Sequence, residues 1–120
     1  MKRTGPTNIY LRLTAAYLRK QSRIHGAKIW RYIADLLLKP TRSRVEVNVS
    51  KINRFTGEGD IVVVPGKVLG TGNISHKVIV AAWSFSEKAK EKIESAGGKC
   101  LAIPELVEKY PNGSNIKIIV

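Results

Sequence analysis

Apolar residues recur every three to four positions through the first forty residues, then condense into short β-branched runs. The first pattern belongs to helices and the second to strands. Thr7 or Asn8 can cap a first helix reaching about Arg23. On it Ile9, Leu13, Ala16 and Lys20 share one face, and Arg12, Arg19 and Arg23 run along the flank. Gly26 breaks the chain. A second helix, about residues 27–39, turns Trp30, Ile33 and Leu37 inward and Lys28, Arg31 and Asp35 outward, and Pro40 stops it.

The strand-like part begins after the short basic linker Thr41-Arg42-Ser43-Arg44. Val45-Glu46-Val47-Asn48-Val49 alternates with period two, as a half-buried strand does. Ser50 is placed to cap a turn of helix holding Lys51, Ile52 and Arg54, and residues 56–60 form a loop. Residues 61–64 predict a buried strand ended by Pro65-Gly66, with a glycine-rich loop at 70–73. After His76-Lys77, residues 78–82 predict another buried strand. Ser84-Phe85-Ser86-Glu87 then reads as a capping box, opening a helix to about Ala96. Phe85, Ala89 and Ile93 fall on its sheet-facing side, and Gly97-Gly98 ends it. With a strand at 99–103, residues 77–103 form a βαβ unit with a right-handed crossover. Pro104 suits the start of a short helix ending near Tyr110, and residues 116–120 supply the last strand. The fold class is α/β in a single compact domain over residues 1–120. It divides into an extended basic arm (1–6), two basic helices (7–40) and a core (41–120).

Charge sharpens this picture. All eight arginines precede residue 55, where 13 Lys and Arg face only Asp35 and Glu46. Beyond it eight lysines meet seven acids, so nearly all of the net +12 belongs to the first half. Such a surface repels itself unless a polyanion neutralises it, and the arginine fork suits phosphate. Tyr10, Tyr17 and Tyr32 lie among the cations as possible base-stacking groups, Tyr17 being placed to pack between the helices. No run approaches the ~20 apolar residues of a membrane span. Arg12 interrupts what would be a signal sequence, and the lone Cys100 sits in an apolar run as a buried, inert thiol. A reducing, cytoplasmic setting is expected.

Enzymatic constellations do not emerge. The run Pro65-Gly66-Lys67-Val68-Leu69-Gly70-Thr71-Gly72 fails as a phosphate loop, because its Gly-Lys comes first and no helix follows. His25 and His76 have no partners at metal-ligand spacing. Glu87, Glu91 and Glu94 alternate with Lys88, Lys90 and Lys92, the pattern of a solvated helix face.

Three blocks, 44–54 (Arg-Val-Glu-Val-Asn-Val-Ser-Lys-Ile-Asn-Arg), 62–72 (Val-Val-Val-Pro-Gly-Lys-Val-Leu-Gly-Thr-Gly) and 85–98, carry a resemblance. In this order they resemble large-subunit ribosomal protein 18e, an archaeal and eukaryotic family related to bacterial large-subunit protein 15. The resemblance implies basic N-terminal helices before an irregular ββα-type core. It also implies a structural, non-enzymatic constituent of the large subunit, located on cytoplasmic ribosomes and acting in translation. Large-subunit rRNA and neighbouring ribosomal proteins would be its partners, with no cofactor, metal, membrane or small-molecule substrate. RNA contacts would fall on Lys2 and Arg3 of the arm and on Arg12, Arg19, Lys20, Arg23, Lys28 and Arg31 of the helices. Arg42, Arg44, Lys51 and Arg54 would continue them, with Lys67, His76 and Lys77 around the glycine-rich loop. The competing expectation is a free-standing RNA-binding or RNA-modifying protein centred on Gly72 and His76.

Overall fold

Among the described residues five parallel strands form one sheet around which the helices are arranged. The computed structural model describes residues 9–38 and 45–120. The expected cap at Thr7 or Asn8, the stop at Pro40, the arm and the basic linker lie outside them. The elements run α1 (Ile9–His25), α2 (Lys28–Leu37), β1 (Val45–Asn48), α3 (Val49–Phe55) and β2 (Asp60–Leu69). They continue as β3 (Val78–Phe85), α4 (Glu87–Ser95), β4 (Lys99–Ala102), α5 (Ile103–Lys109) and β5 (Ile116–Ile118). The sheet order is β1-β2-β3-β4, with β5 also joined to β2. β1 pairs with residues 66–69 and β5 with residues 61–63, so the two share one edge of β2 end to end.

Side-chain alternation divides the core into two layers. Val62 and Val64 point to one face of the sheet, where they meet Val49 and Ile52 of α3 and Ala89 and Ile93 of α4. Val63 and Ala81 point to the other, beneath Trp30, Ile33 and Leu37 of α2 and Leu106 of α5. α1 lies against α2 and α5. Strands covered on both faces are continuously apolar, as the Val62-Val63-Val64 run anticipates. The expected βαβ unit is present as β3, α4 and the parallel β4.

Several local expectations are corrected. The face of α1 that packs is Leu11, Ala15 and Leu18, all essentially buried. The face shared by Ile9, Leu13, Ala16 and Lys20 is the solvent side. Ser86, not Ser84, caps α4: the Ala89 N–H donates to its Oγ at 3.1 Å. Phe85 accordingly ends β3 rather than entering the helix. Ser50 is inside α3, and Asn48 stands at the cap position without a capping hydrogen bond.

β2 does not stop at Pro65-Gly66. It runs on to Leu69, and the register against β3 slips between Val64 and Lys67. A bulge accommodates a proline that has no N–H for the ladder. Gly66 meanwhile pairs with Val45, where a Cβ would come within 2.1 Å of the Val45 carbonyl oxygen. The breaker pair marks a bulge and a close approach of backbones.

The connection from β2 to β3 has an unusual task. Val78 stands opposite Asp60, at the far end of β2 from Leu69. The return covers about 27–30 Å of strand, while nine Cα steps reach at most about 30–32 Å. Residues 70–77 therefore form a taut strap with almost no slack. It lies between α3 and α4: Ser50 N–H donates to the Thr71 carbonyl, Ser75 N–H to Asn53 Oδ1, and Ile74 packs into the core.

Candidate nucleic-acid interface

Four cations meet where α1 turns into α2. Gly26, at φ +64°, takes the left-handed conformation that lets the second helix start within two residues of the first. Arg19 and Arg23, one helical turn apart on α1, then face Lys28 and Arg31 on the outward side of α2. With Ser22, Gly26 and Asp35 they line an open groove of about 510 Å³. The start of α2 contributes too. Its cap residue is Ala27, which has no side-chain oxygen, and its first turn holds no acid. The positive end of the helix is thus uncompensated by any side-chain cap.

Among the described residues Asp35 is the one acid lining the groove, and Arg19 Nη2 meets its Oδ1 at 2.9 Å. Both partners are about half exposed, so the pair contributes little to stability, about 0–1 kcal/mol. Among the described residues, Arg23, Lys28 and Arg31 line the groove without an ion-pair partner.

The other expected residues are spread more widely. Arg12 and Lys20 are exposed on α1 but do not line the groove. Lys51 and Arg54 are on α3, across the sheet. Lys51 Nζ donates to the main-chain oxygen of Val120, and the Arg54 guanidinium sits 5.4 Å from the centre of the exposed Phe55 ring. Lys67 in β2 and Lys77 at the end of the strap are exposed. His76 Nε2 lies 2.7 Å from Thr56 Oγ1, whose single proton goes to the Ile52 carbonyl. His76 is therefore the donor, through a protonated Nε2. Lys2, Arg3, Arg42 and Arg44 lie outside the described residues. Tyr17 packs against the core, while Tyr10 and Tyr32 are 69% and 52% exposed.

Lys92 was legible only as part of a solvated helix face. In the structure its Nζ is half-buried and donates to the carbonyls of Gly70 (2.7 Å) and Gly72 (2.6 Å), clamping the strap onto α4. No local pattern announces this, because its partners are backbone oxygens about twenty residues away. Among the described residues, no three His, Cys, Asp or Glu side chains gather as metal ligands, and no helix is long and apolar enough to cross a membrane.

Comparison with known proteins identifies the family of the chain. The family described as "Ribosomal proteins 50S-L15, 50S-L18e, 60S-L27A" matches residues 24–101, from the end of α1 through most of β4. The chain belongs to this family. A family member from Pyrobaculum aerophilum, named large ribosomal subunit protein eL18, is 54% identical over 117 residues, covering 98% of this chain and 96% of that protein. The protein of that name from Methanothermobacter thermautotrophicus is 55% identical over 102 residues, 85% of this chain and 84% of its own length. Its counterpart in Methanopyrus kandleri is 49% identical over 121 residues, 97% and 95% of the two chains. The family match begins at Ile24, so it includes Lys28, Arg31 and Asp35 of the groove but not Arg19 or Arg23.

Proposed function

We propose that this protein is a non-enzymatic structural constituent of the large ribosomal subunit that holds folded large-subunit rRNA. The observation that carries the reading is the groove between α1 and α2, where four cations and an open helix N-terminus surround one acid that already has a partner. The relatives' shared name, large ribosomal subunit protein eL18, supports the choice of polyanion. Arg23, Lys28 and Arg31 neutralise backbone phosphates, and the fold keeps them in register without reading base sequence.

The domain reading is part of the same proposal. Residues 1–120 act as one ribosomal domain, with Lys2, Arg3, Arg42 and Arg44 adding phosphate contacts. Lys51 and Arg54 of α3, with His76 and Lys77 of the strap, form a second RNA-facing area across the sheet. Lys67, on the opposite pleat of β2 from the buried Val68, adds a further contact, so that the protein is clasped between RNA segments. The competing centre at Gly72 and His76 is occupied by the protein's own groups, since Lys92 binds the glycine carbonyl and Thr56 the imidazole.

Sedimentation tests the reading. The tagged protein is expected to remain with cytoplasmic large subunits through a high-salt wash. Recovery chiefly as a free species at the top of the gradient would overturn it.

A further inference from the structure

α1 carries two apolar stripes on opposite faces. Leu11, Ala15 and Leu18 form the buried one. Ile9, Leu13, Ala16 and Ile24 form the other, following i, i+4, i+7 and i+15 with Lys20 filling i+11. Its bulky members remain 61% (Ile9), 60% (Leu13) and 59% (Ile24) exposed. Over this span the stripe is about 22 Å long at 1.5 Å per residue. One apolar face suffices to seat a helix on its core. A second, aligned face of branched aliphatics is an exposed patch that marks an interaction surface.

The surroundings narrow the occupant. Arg12, Arg19 and Arg23 run along one flank, Lys20 interrupts the stripe, and α1 contains no Asp or Glu. A second copy would set these cations against themselves. Residues 1–8 and 39–44 bring Lys2, Arg3, Lys39, Arg42 and Arg44 and no acid, so neither segment offers complementary charge. RNA would satisfy the cations but press phosphates against aliphatic carbons that return no hydrogen bond. An amphipathic segment with an apolar stripe and Asp or Glu along its rim satisfies both requirements.

We propose that the outward stripe of α1 docks an apolar, acid-rimmed helical segment of another large-subunit protein. α1 is then shared: its outer face binds protein, while its last turns contribute Arg19 and Arg23 to the RNA groove. The proposal rests on the reading of the chain as a large-subunit constituent.

Photocrosslinking in salt-washed large subunits separates the possibilities. Leu13→p-benzoylphenylalanine and Ile24→p-benzoylphenylalanine are expected to form adducts with a protein, mapped to a peptide in which acids flank an apolar stripe. The same group at Lys28 is expected to reach rRNA. Adducts from Leu13 and Ile24 to rRNA, or none while Lys28 crosslinks, overturn the docking proposal alone. Absence of the protein from washed subunits overturns the functional reading and this proposal together. As a second measure, Leu13→Ser is expected to leave the helical spectrum and the binding of an isolated rRNA fragment unchanged. Retention in subunits should fall by about fivefold or more, as loss of an interface anchor does; unchanged retention contradicts the proposal.

Discussion

The indole nitrogen of Trp30 donates to the main-chain oxygen of Pro111 at 2.9 Å, across 81 positions of sequence. Trp30 is fully buried, and this bond ties α2 to the loop after α5. Gly113 completes the contact, since a Cβ there would lie 2.4 Å from Ile29 Cγ2. Trp30→Phe keeps an aromatic ring but leaves the Pro111 oxygen unmet and opens space. The expected loss is about 1–3 kcal/mol, read from the denaturant midpoint, with rRNA affinity of the folded fraction unchanged.

The groove predicts an unequal response to neutralisation. Lys28→Gln and Arg31→Gln should each weaken rRNA-fragment binding and reduce the salt slope by about 0.7–0.9, the value of one phosphate contact. Arg19→Gln should do less, because Asp35 already holds that guanidinium. Asp35→Asn should strengthen binding, and Lys88→Gln and Lys90→Gln should change little. Titrations at several salt concentrations check all six; equal losses from the Lys28 and Arg31 pair and from the two α4 lysines would refute the localised groove.

Lys92 offers a separate test. Lys92→Met removes both bonds to the strap carbonyls while preserving most of the stem's packing. Amide exchange over residues 70–77 is expected to accelerate about tenfold or more, corresponding to roughly 1.4 kcal/mol of lost protection. Lys90→Met, on an exposed position of the same helix, should leave exchange there unaltered.

Cys100 is partly rather than fully buried, and that burial pushes its thiol up to about 11, with Glu94 adding to the effect. Relative to its ordinary value of 9.0, the thiolate population at pH 8 falls by roughly a hundredfold. Alkylation by iodoacetamide is therefore expected to be slow in the native protein at pH 8. It should rise towards pH 11 and become rapid on unfolding; fast native labelling at pH 8 would contradict this.

Asp60 supplies a pH dependence of the opposite sign. The Gly57 N–H and then Lys117 hold its carboxyl below the ordinary 3.8. A lowered folded value means stability is present above about pH 4 and is lost as pH falls through that lowered value. Asp60→Asn should flatten this part of the acid limb in urea titrations and leave the limb above pH 5 parallel to wild type.

What the residues reveal about themselves depends on how local the deciding interaction is. The βαβ unit could be read because its β-branched runs, serine cap and Gly97-Gly98 stop are all short-range signals. On α1 two apolar stripes compete, and only the positions of α2 and α5 decide that Leu11, Ala15 and Leu18 go inward. Pro65-Gly66 resembles a strand end until β1 arrives to use the bare backbone of Gly66. The basic half was plain from composition, yet its division between the α1–α2 groove and the α3 side follows from which face of the sheet each helix covers. Lys92 shows the same limit, since a lysine among glutamates looks solvated until the strap passes over it.

The shared edge of β2 imposes an order in time. Among the described residues every strand pairing is parallel, so none of these can form through a hairpin, and each waits for chain made later. β5 fills its half of that edge, and Lys117 reaches Asp60, only when residues 116–118 have been synthesised. Trp30 likewise waits for Pro111. The basic helices are thus made before any strand of the sheet and among the last to be seated, and a nascent chain presents their charge before it has a finished sheet to hold it.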